Sequence, residues 1–287
     1  MEVNIIAKRK LWFIISGILL VVGIGAIAFQ GLNLGIDFTG GTIMQFSFEQ
    51  QVPNSEIREI LSQSGISKDS VVQQTGNNGV QFKTRKLSQD QIVKIQENIE
   101  EKYSSAEMLR TSAVGPTIGQ ELKANALKAL IIAAIGIVIY ISVRFEFRFA
   151  MAAIMALLHD VLIVLGAFAI LGFELNSPFI AALLTIVGYS INDTIVIFDR
   201  IREKMHYSKK DTFEGLTNQA LLDTLPRSIN TSATTLLPIL AILILGGTTI
   251  QTFMVALLIG MLSGTYSSIF VASPILVEWN ERKEIKI

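Results

Sequence analysis

The chain has 287 residues, of which 51% are hydrophobic and 17% are charged, and its formal net charge is zero. Soluble domains average about 25% charged residues. This composition, with a mean hydropathy of +0.51, is therefore typical of a membrane protein. The charge balance gives no reason to expect a nucleic-acid partner, and the lack of cysteine excludes disulfides and thiolate metal sites. Without an HExxH or GxxxxGK[ST] motif, we expect no metal, no cofactor and no catalytic site.

The first predicted element is an apolar run at residues 11–29, directly after the basic residues Lys8, Arg9 and Lys10. A run of this length crosses a bilayer core of about 30 Å as one helix. A cleaved signal peptide is the alternative, because the basic start, the apolar centre and the small residues ending at Ala28 would suit cleavage there. We favour a membrane helix, because the run is long for a signal sequence and five further spans follow it.

The next segment, residues 37–124, is predicted to be an α+β domain outside the membrane. Alternating apolar and polar residues predict four strands, at residues 42–49, 71–75, 80–85 and 107–114. Apolar residues three and four apart predict a helix at 53–64 and a second helix that Ser88 caps, with Gln91 at capping-box spacing. The residues 76–79 are a turn signal. The order β-α-β-β-α-β is that of the ferredoxin-like split unit, and it indicates a binding or spacing role.

Five more apolar runs follow, at residues 127–143, 150–171, 179–198, 229–245 and 253–277. With the first run they predict six transmembrane helices. The predicted fold is a membrane all-α bundle of six helices, with one extracytoplasmic α+β ferredoxin-like (βαββαβ) domain between the first and second helices. The predicted domains are residues 1–36, 37–124 and 125–287.

Basic residues are distributed unevenly between the two ends of the predicted spans. The short outer loops, 172–178 and 246–251, contain no lysine or arginine. The other side carries Lys8, Arg9, Lys10, Arg144, Arg148, Arg200, Arg202, Lys204, Lys209, Lys210, Arg227, Arg282, Lys283 and Lys286. By the positive-inside rule, we expect both termini in the cytoplasm and the α+β domain outside.

A long apolar helix at residues 184–203 carries Asn192 and Asp193 side by side. A carboxylate at membrane depth costs about 2.5–3.5 kcal/mol, so it persists mainly where it faces a partner, a cavity or an ion path. Gly188, one turn before Asn192, would let another helix approach closely. Asp193 is therefore a candidate functional residue. A charge that only holds helices together is the alternative.

A second aspartate, Asp160, is expected about ten residues into the third span, near the middle of the membrane. The third and fourth spans are joined by a short loop and run antiparallel, so Asp160 and Asp193 could line one polar seam. His159 beside it is a candidate proton relay, although a histidine hydrogen-bonded to a neighbouring helix is the commoner arrangement.

The fifth span opens with RSINTS, which places Arg227 at its inner end, the end closest to Asp193. Burial favours the neutral form of a carboxylate and a nearby arginine favours the charged form, so a carboxylate between them can take up and release a proton. Membrane anchoring explains the position of Arg227 equally well. Pro238 predicts a kink in this helix.

The sixth span carries small residues at every fourth position, at Ala256, Gly260, Gly264 and Ser268. Such a stripe predicts a packing face for another membrane helix, in this chain or in a partner. The predicted packing glycines are therefore Gly188, Gly260 and Gly264.

Four motifs together resemble those of the SecF family, DFTGGT at 37–42, VGPTIGQEL at 114–122, SINDTIVIFDRIRE at 190–203 and RSINTS at 227–232. SecF is the accessory subunit of the bacterial preprotein export machinery, within the resistance-nodulation-division superfamily. The resemblance covers essentially the whole chain. Fused SecDF proteins differ because they also contain the SecD half, which this chain lacks.

The resemblance implies a multi-pass protein of the bacterial cytoplasmic membrane that pairs with SecD and acts with the SecYEG channel. It also implies functional cooperation with the ATPase SecA, contact of the outer domain with unfolded preprotein, and use of the proton gradient. Family motifs tie Asp193 and Arg227 to proton passage. Asn192 and Asp160 are also predicted to belong to the proton pathway, because of their positions within the membrane spans and not because of the resemblance. The choice between proton and sodium stays open.

Three alternative functions accompany this interpretation. Two aspartates on adjacent helices would suit an intramembrane aspartyl protease, but the usual GxGD context is missing around Asp193. A passive scaffold would use its intramembrane charges as structural pairs. A small-molecule or lipid exporter of the same superfamily would need a substrate pocket and usually a larger outer domain.

Overall fold

The computed structural model describes residues 4–66, 70–76, 78–207 and 212–282. The turn residue Asn77 and the inside lysines Lys209, Lys210, Lys283 and Lys286, used in the sequence predictions, lie outside these ranges. The chain divides into two compact units. The first unit combines Met1–Asn33 with Ala129–Ile287, and the second is Leu34–Lys128.

The described helices are α1 (Arg9–Gln30), α2 (Ile36–Thr39), α3 (Asn54–Gln63), α4 (Gln89–Lys102), α5 (Pro116–Arg144), α6 (Phe147–Leu171), α7 (Ser177–Tyr207), α8 (Phe213–Leu245), α9 (Thr248–Ser267) and α10 (Ser273–Arg282). The described strands are β1 (Gly41–Ser47), β2 (Val71–Thr75), β3 (Gly79–Thr84) and β4 (Glu107–Val114). A 3-10 turn, Ile6–Lys8, precedes α1, and a π-helical turn, Ser268–Ala272, joins α9 to α10.

The second unit is a four-stranded antiparallel sheet in the order β2-β3-β1-β4, with α3 after β1 and α4 after β3. Its strands coincide or nearly coincide with the predicted ones, because alternating side chains separate a covered face from an open face. Phe46 and Phe82 on neighbouring strands stack at 6.1 Å in the core that α3 and α4 cover. Ser88 and Gln91 form the predicted capping box.

A polar tie joins α3 to the end of α4 in this unit. The Tyr103 hydroxyl donates a short hydrogen bond to the Glu56 carboxylate, and Lys102 lies 3.3 Å from the same carboxylate. Partial burial and the hydrogen bond to Glu56 raise the pKa of Tyr103 to about 12. The same hydrogen bond, followed by that of Lys102, lowers the pKa of Glu56.

The described part of the chain contains six helices long and apolar enough to cross a membrane, as predicted. Several helices are longer than the predicted runs, since α5 begins at Pro116 and α7 ends at Tyr207. The largest difference is in α8, which begins at Phe213 and not near residue 229. Thr212 caps α8 with its side chain, which accepts a hydrogen bond from the Gly215 N–H at 3.2 Å. The buried residues Leu216 and Ala220 give the extra turns an apolar face. Arg227 therefore lies inside a long helix and not at its start.

Helices α7 and α9 pack closely because α9 presents glycine at the contact. A Cβ on Gly260 would overlap the Ile186 side chain, and one on Gly264 would lie 2.9 Å from the Ser190 Cβ. Gly188 takes no part in this contact, since a Cβ there would meet nothing within 4 Å. The reason is helical period, because Gly188 is two residues from both Ile186 and Ser190 and so faces away from α9.

Candidate functional site

Asp193 lies on α7 at the contact with α8, and only 7% of its surface is exposed. Ser228 on α8 donates a hydrogen bond to Asp193 Oδ1 at 2.8 Å. The second carboxylate oxygen, Oδ2, is buried and has no hydrogen-bond partner among the described residues. An unpaired buried carboxylate oxygen is costly, so this position suits an oxygen that binds a proton or a water.

Arg227 is exposed and does not form a direct ion pair with Asp193, although the two interact electrostatically. The residue after it, Ser228, is the one that contacts the carboxylate. Arg227 lies in the wall of a crevice of about 520 Å³ between α7 and α8. The crevice is lined by Val196, Asp199, Arg200, Glu203, Asp223, Thr224 and Arg227. Because Val196 is one helical turn from Asp193, the crevice approaches the buried carboxylate.

Ion pairs join α7 to α8 along this crevice. Asp223 on α8 accepts hydrogen bonds from Arg200 at 2.5 Å and from Lys204 at 2.9 Å. Arg200 also donates to Glu203 at 2.7 Å. These exposed pairs individually contribute little to stability, and their effect is to hold the two helices in one alignment.

Asp160 lies on α6 and is completely buried, in a junction with α7 and α9. Its oxygen Oδ2 accepts hydrogen bonds from Ser190 and Ser267, both at 2.6 Å. Its oxygen Oδ1 accepts one from Ser263 at 2.6 Å and lies 3.1 Å from His159 Nδ1. Three serine hydroxyls therefore donate to the carboxylate, and the His159 ring nitrogen lies beside it.

Asp160 contacts α7 through Ser190, whereas Asp193 contacts α8 through Ser228, so the two carboxylates share no partner. The polar seam predicted through both aspartates stays a prediction. Hydroxyl side chains on α7 contact its neighbours beside them. The Tyr189 hydroxyl lies 3.0 Å from Ser232 Oγ, which lies 2.7 Å from Thr265 Oγ1. One turn further on, Thr194 Oγ1 lies 2.8 Å from Ser268 Oγ, at the π-helical turn.

The other predicted site residues lie as follows. Asn192 is exposed on α7 and takes no part in the contact between Asp193 and Ser228. His159 is buried, its ring stacks on Tyr266 at 6.0 Å, and its Nε2 has no partner among the described residues. No group of three or more metal-ligand side chains occurs in the described ranges.

Sequence reasoning missed the serines that bind the two carboxylates. Ser263 and Ser267 are four residues apart on α9, directly beside the predicted stripe of small residues. A serine pair at this spacing, facing a span with a buried aspartate, is the signal that could have found them. Ser228 lies inside the RSINTS motif, directly after Arg227.

Comparison with known families gives two matches. Residues 94–282 match the family described as protein export membrane protein SecD/SecF, C-terminal. Residues 25–52 match the SecD/SecF GG motif, which includes the Gly40-Gly41 pair at the start of β1.

Individual relatives agree with these matches. The protein translocase subunit SecF of Sebaldella termitidis is 42% identical, over 96% of this chain and 91% of its own length. The SecDF of Bacillus subtilis is 40% identical over 96% of this chain, but only 38% of that longer protein is matched.

Solved structures show the same relationship. The crystal structure of SecDF from Thermus thermophilus, described as a translocon-associated membrane protein, matches 98% of this chain with a TM-score of 0.92 and 37% identity. The chain corresponds to 39% of that SecDF chain. A SecDF structure in a super-membrane-facing form matches with a TM-score of 0.74. The chain is a multi-pass membrane protein and belongs to the SecF family of protein translocase subunits.

Proposed function

We propose that this subunit pairs with SecD and uses the proton gradient to promote preprotein export through SecYEG after SecA has driven insertion. The observation that carries this proposal is the state of Asp193. It is a buried carboxylate with one unpaired oxygen, one helical turn from a charged crevice that contains Arg227. This arrangement can accept and release a proton, because water can reach its neighbourhood while the carboxylate itself stays buried.

The energy available from such a site is sufficient for a conformational cycle. One charge that crosses 100 mV provides about 2.3 kcal/mol. A difference of that size changes a two-state equilibrium by about fiftyfold. Since no nucleotide-binding motif occurs in the sequence, a gradient is the energy source that fits it. We therefore describe the protein as a transport subunit and not as an enzyme.

Exposed glycine, asparagine and threonine residues on the membrane helices support the proposal that a second membrane subunit packs against this chain. Gly188 and Asn192 on α7, and Asn230 and Thr234 on α8, are exposed in this chain. Polar groups in lipid are unfavourable, whereas glycine, asparagine and threonine are common where membrane helices pack. A six-span SecD is the partner that would cover them, and the longer SecDF relatives carry additional chain of suitable length.

We assign the sheet unit to the ferredoxin-like class and to the outer side of the bacterial cytoplasmic membrane. Its element order βαββαβ and its antiparallel strand order β2-β3-β1-β4 support that class. The positive-inside distribution of basic residues supports the location. There the unit would contact the unfolded preprotein as it leaves the channel.

The test is Asp193→Asn, which removes the titratable group with little change of shape. We expect the variant to assemble with SecD as the native protein does, and to lose gradient-dependent export in inverted or right-side-out vesicles. Asp193→Glu keeps a carboxylate and is the matched control, for which partial export is expected. Full export by Asp193→Asn would refute proton transfer through this residue. Loss of assembly in both Asp193→Asn and Arg227→Ala would instead favour a passive scaffold.

A further inference from the structure

The buried carboxylate of Asp160 is not needed by the mechanism above, yet it has the densest set of hydrogen bonds in the described core. Its partners come from α7 (Ser190), from α9 (Ser263 and Ser267) and from its own helix (His159). Three of the four distances are 2.6 Å, at the short end of the range for a hydroxyl donor. The carboxylate therefore joins three membrane helices at one point.

The contrast with Asp193 separates the roles of the two residues. Asp193 keeps one buried oxygen unpaired, whereas both oxygens of Asp160 have partners. Three serine hydroxyls, from α7 and α9, already donate to Asp160. We propose that Asp160 is a positioning residue that fixes the rotation of α7, and thereby the orientation of Asp193, without carrying a transported proton. The inference rests on the proposed role of Asp193 in proton transfer.

Fixing the rotation of α7 matters because Ser190 and Asp193 are three residues apart on it. A rotation of α7 by one residue, about 100°, would break the contact of Ser190 with Asp160 and would also move Asp193 away from Ser228. Ser190 also lies at the close contact with Gly264 on α9, where an added Cβ would be 2.9 Å from the Ser190 Cβ. Holding Ser190 therefore holds the Asp193 carboxylate against α8.

Because a serine hydroxyl can both donate and accept a hydrogen bond, two variants of Asp160 can distinguish a positioning role from proton transport. In Asp160→Asn the amide oxygen can accept from Ser263 and His159, and the amide N–H groups can donate to Ser190 and Ser267, because a hydroxyl both donates and accepts. The four contacts can thus survive without a titratable group. Asp160→Ala removes all four.

The experiment uses full-length protein assembled with SecD, and measures gradient-dependent export together with thiol labelling. Because the native chain has no cysteine, Val196→Cys in the crevice wall reports the orientation of α7 directly. Tyr207→Cys, on the exposed end of the same helix, is the matched control. We expect Asp160→Asn to keep more than half of the export and the native labelling rate at position 196. We expect Asp160→Ala to lose export and to change that rate by at least about fivefold, since even one lost buried hydrogen bond has an effect of that size.

Each outcome decides the inference. If Asp160→Asn loses export as Asp193→Asn does, with unchanged labelling at position 196, Asp160 carries protons and the inference is wrong. If Asp160→Ala leaves export and labelling unchanged, it has no positioning role. Should Asp160→Ala fail to fold, Ser190→Ala, which removes only the α7 contact, must change the labelling rate. If Asp193→Asn itself retains export, the proposed function fails, but the labelling still tests the positioning of α7.

Discussion

Asp160 and Asp193 are both buried on neighbouring membrane helices, yet their surroundings give them different chemistry. Burial alone makes any carboxylate expensive, and what differs is how much of that cost the hydrogen bonds offset. Asp160 accepts from three serines and contacts His159, whereas Asp193 has one donor, from Ser228. A carboxylate with few hydrogen-bond partners can change its protonation more readily, because neither the charged nor the neutral form is strongly stabilised. The number of partners, and not depth in the membrane, separates the two residues.

The tie between Tyr103 and Glu56 predicts a defined pH dependence in the sheet unit. Folding lowers the pKa of Glu56 from 4.5, so the contribution of this carboxylate is present above that value and is lost as the pH falls through the folded pKa. Folding raises the pKa of Tyr103 from 10.0 to about 12, so its contribution is present below 10.0 and is lost as the pH rises through about 12. We expect Tyr103→Phe to destabilise the sheet unit by a constant amount between pH 4.5 and pH 10.0, and by less in acid.

Urea unfolding of the full chain, followed by pulse proteolysis of the sheet unit, measures the loss in free energy of unfolding at each pH. Glu97→Gln changes an exposed acid on α4 and is the control, for which a much smaller difference is expected. A Tyr103→Phe effect that grows as the pH falls below 4.5 would contradict the assignment.

At the scale of elements, the glycines of the membrane helices fall into two kinds. Gly260 and Gly264 permit the approach of α9 to α7, and Gly23 with Gly166 permits that of α1 to α6, where an added Cβ on Gly166 would lie 2.5 Å from the Gly23 Cα. Gly188 faces open space in this chain. Glycine costs about 1 kcal/mol relative to alanine in a helix, and a contact with the proposed second subunit is one use that would offset this cost at Gly188.

Gly264→Ala and Gly188→Ala are therefore expected to have opposite effects. The alanine at 264 would collide with Ser190 at 2.9 Å and should destabilise the chain by about 1–3 kcal/mol through overpacking. The alanine at 188 meets nothing, and it should leave the isolated chain unchanged or stabilise it by up to about 1 kcal/mol. Thermal unfolding in detergent compares the two. Equal destabilisation by both changes would contradict the packing described for α7, and weaker binding of SecD by Gly188→Ala would identify the missing contact.

At the scale of the whole molecule, the chain combines a membrane unit with a water-soluble sheet unit. The six long helices are amphipathic only weakly, whereas α3 and α4 have one apolar face each, which packs on the sheet. Basic residues are concentrated at one end of the membrane helices. The charge distribution thus predicts a single orientation in the membrane.

Single cysteines test that orientation, since the native chain has none. Gly247→Cys lies between α8 and α9 at the predicted outer side, and Tyr207→Cys lies at the predicted inner end of α7. We expect a membrane-impermeant maleimide to label position 247 in intact spheroplasts, and to label position 207 only after permeabilisation. The reverse pattern would place both termini and the sheet unit on the other sides.

The sequence by itself determined the six spans, the strands of the sheet unit and the presence of Asp160 and Asp193 within membrane helices. These features are local, because an apolar run of about 20 residues spans a bilayer and alternation marks a strand wherever they occur. Only the tertiary structure decided that Gly188 faces away from α9 and that Ser228 and not Arg227 contacts Asp193. It also brought Ser263 and Ser267 to Asp160 across more than 100 residues of chain. Such contacts depend on the rotation of each helix about its axis, which is set by packing between distant segments and leaves no periodic signal in any one of them.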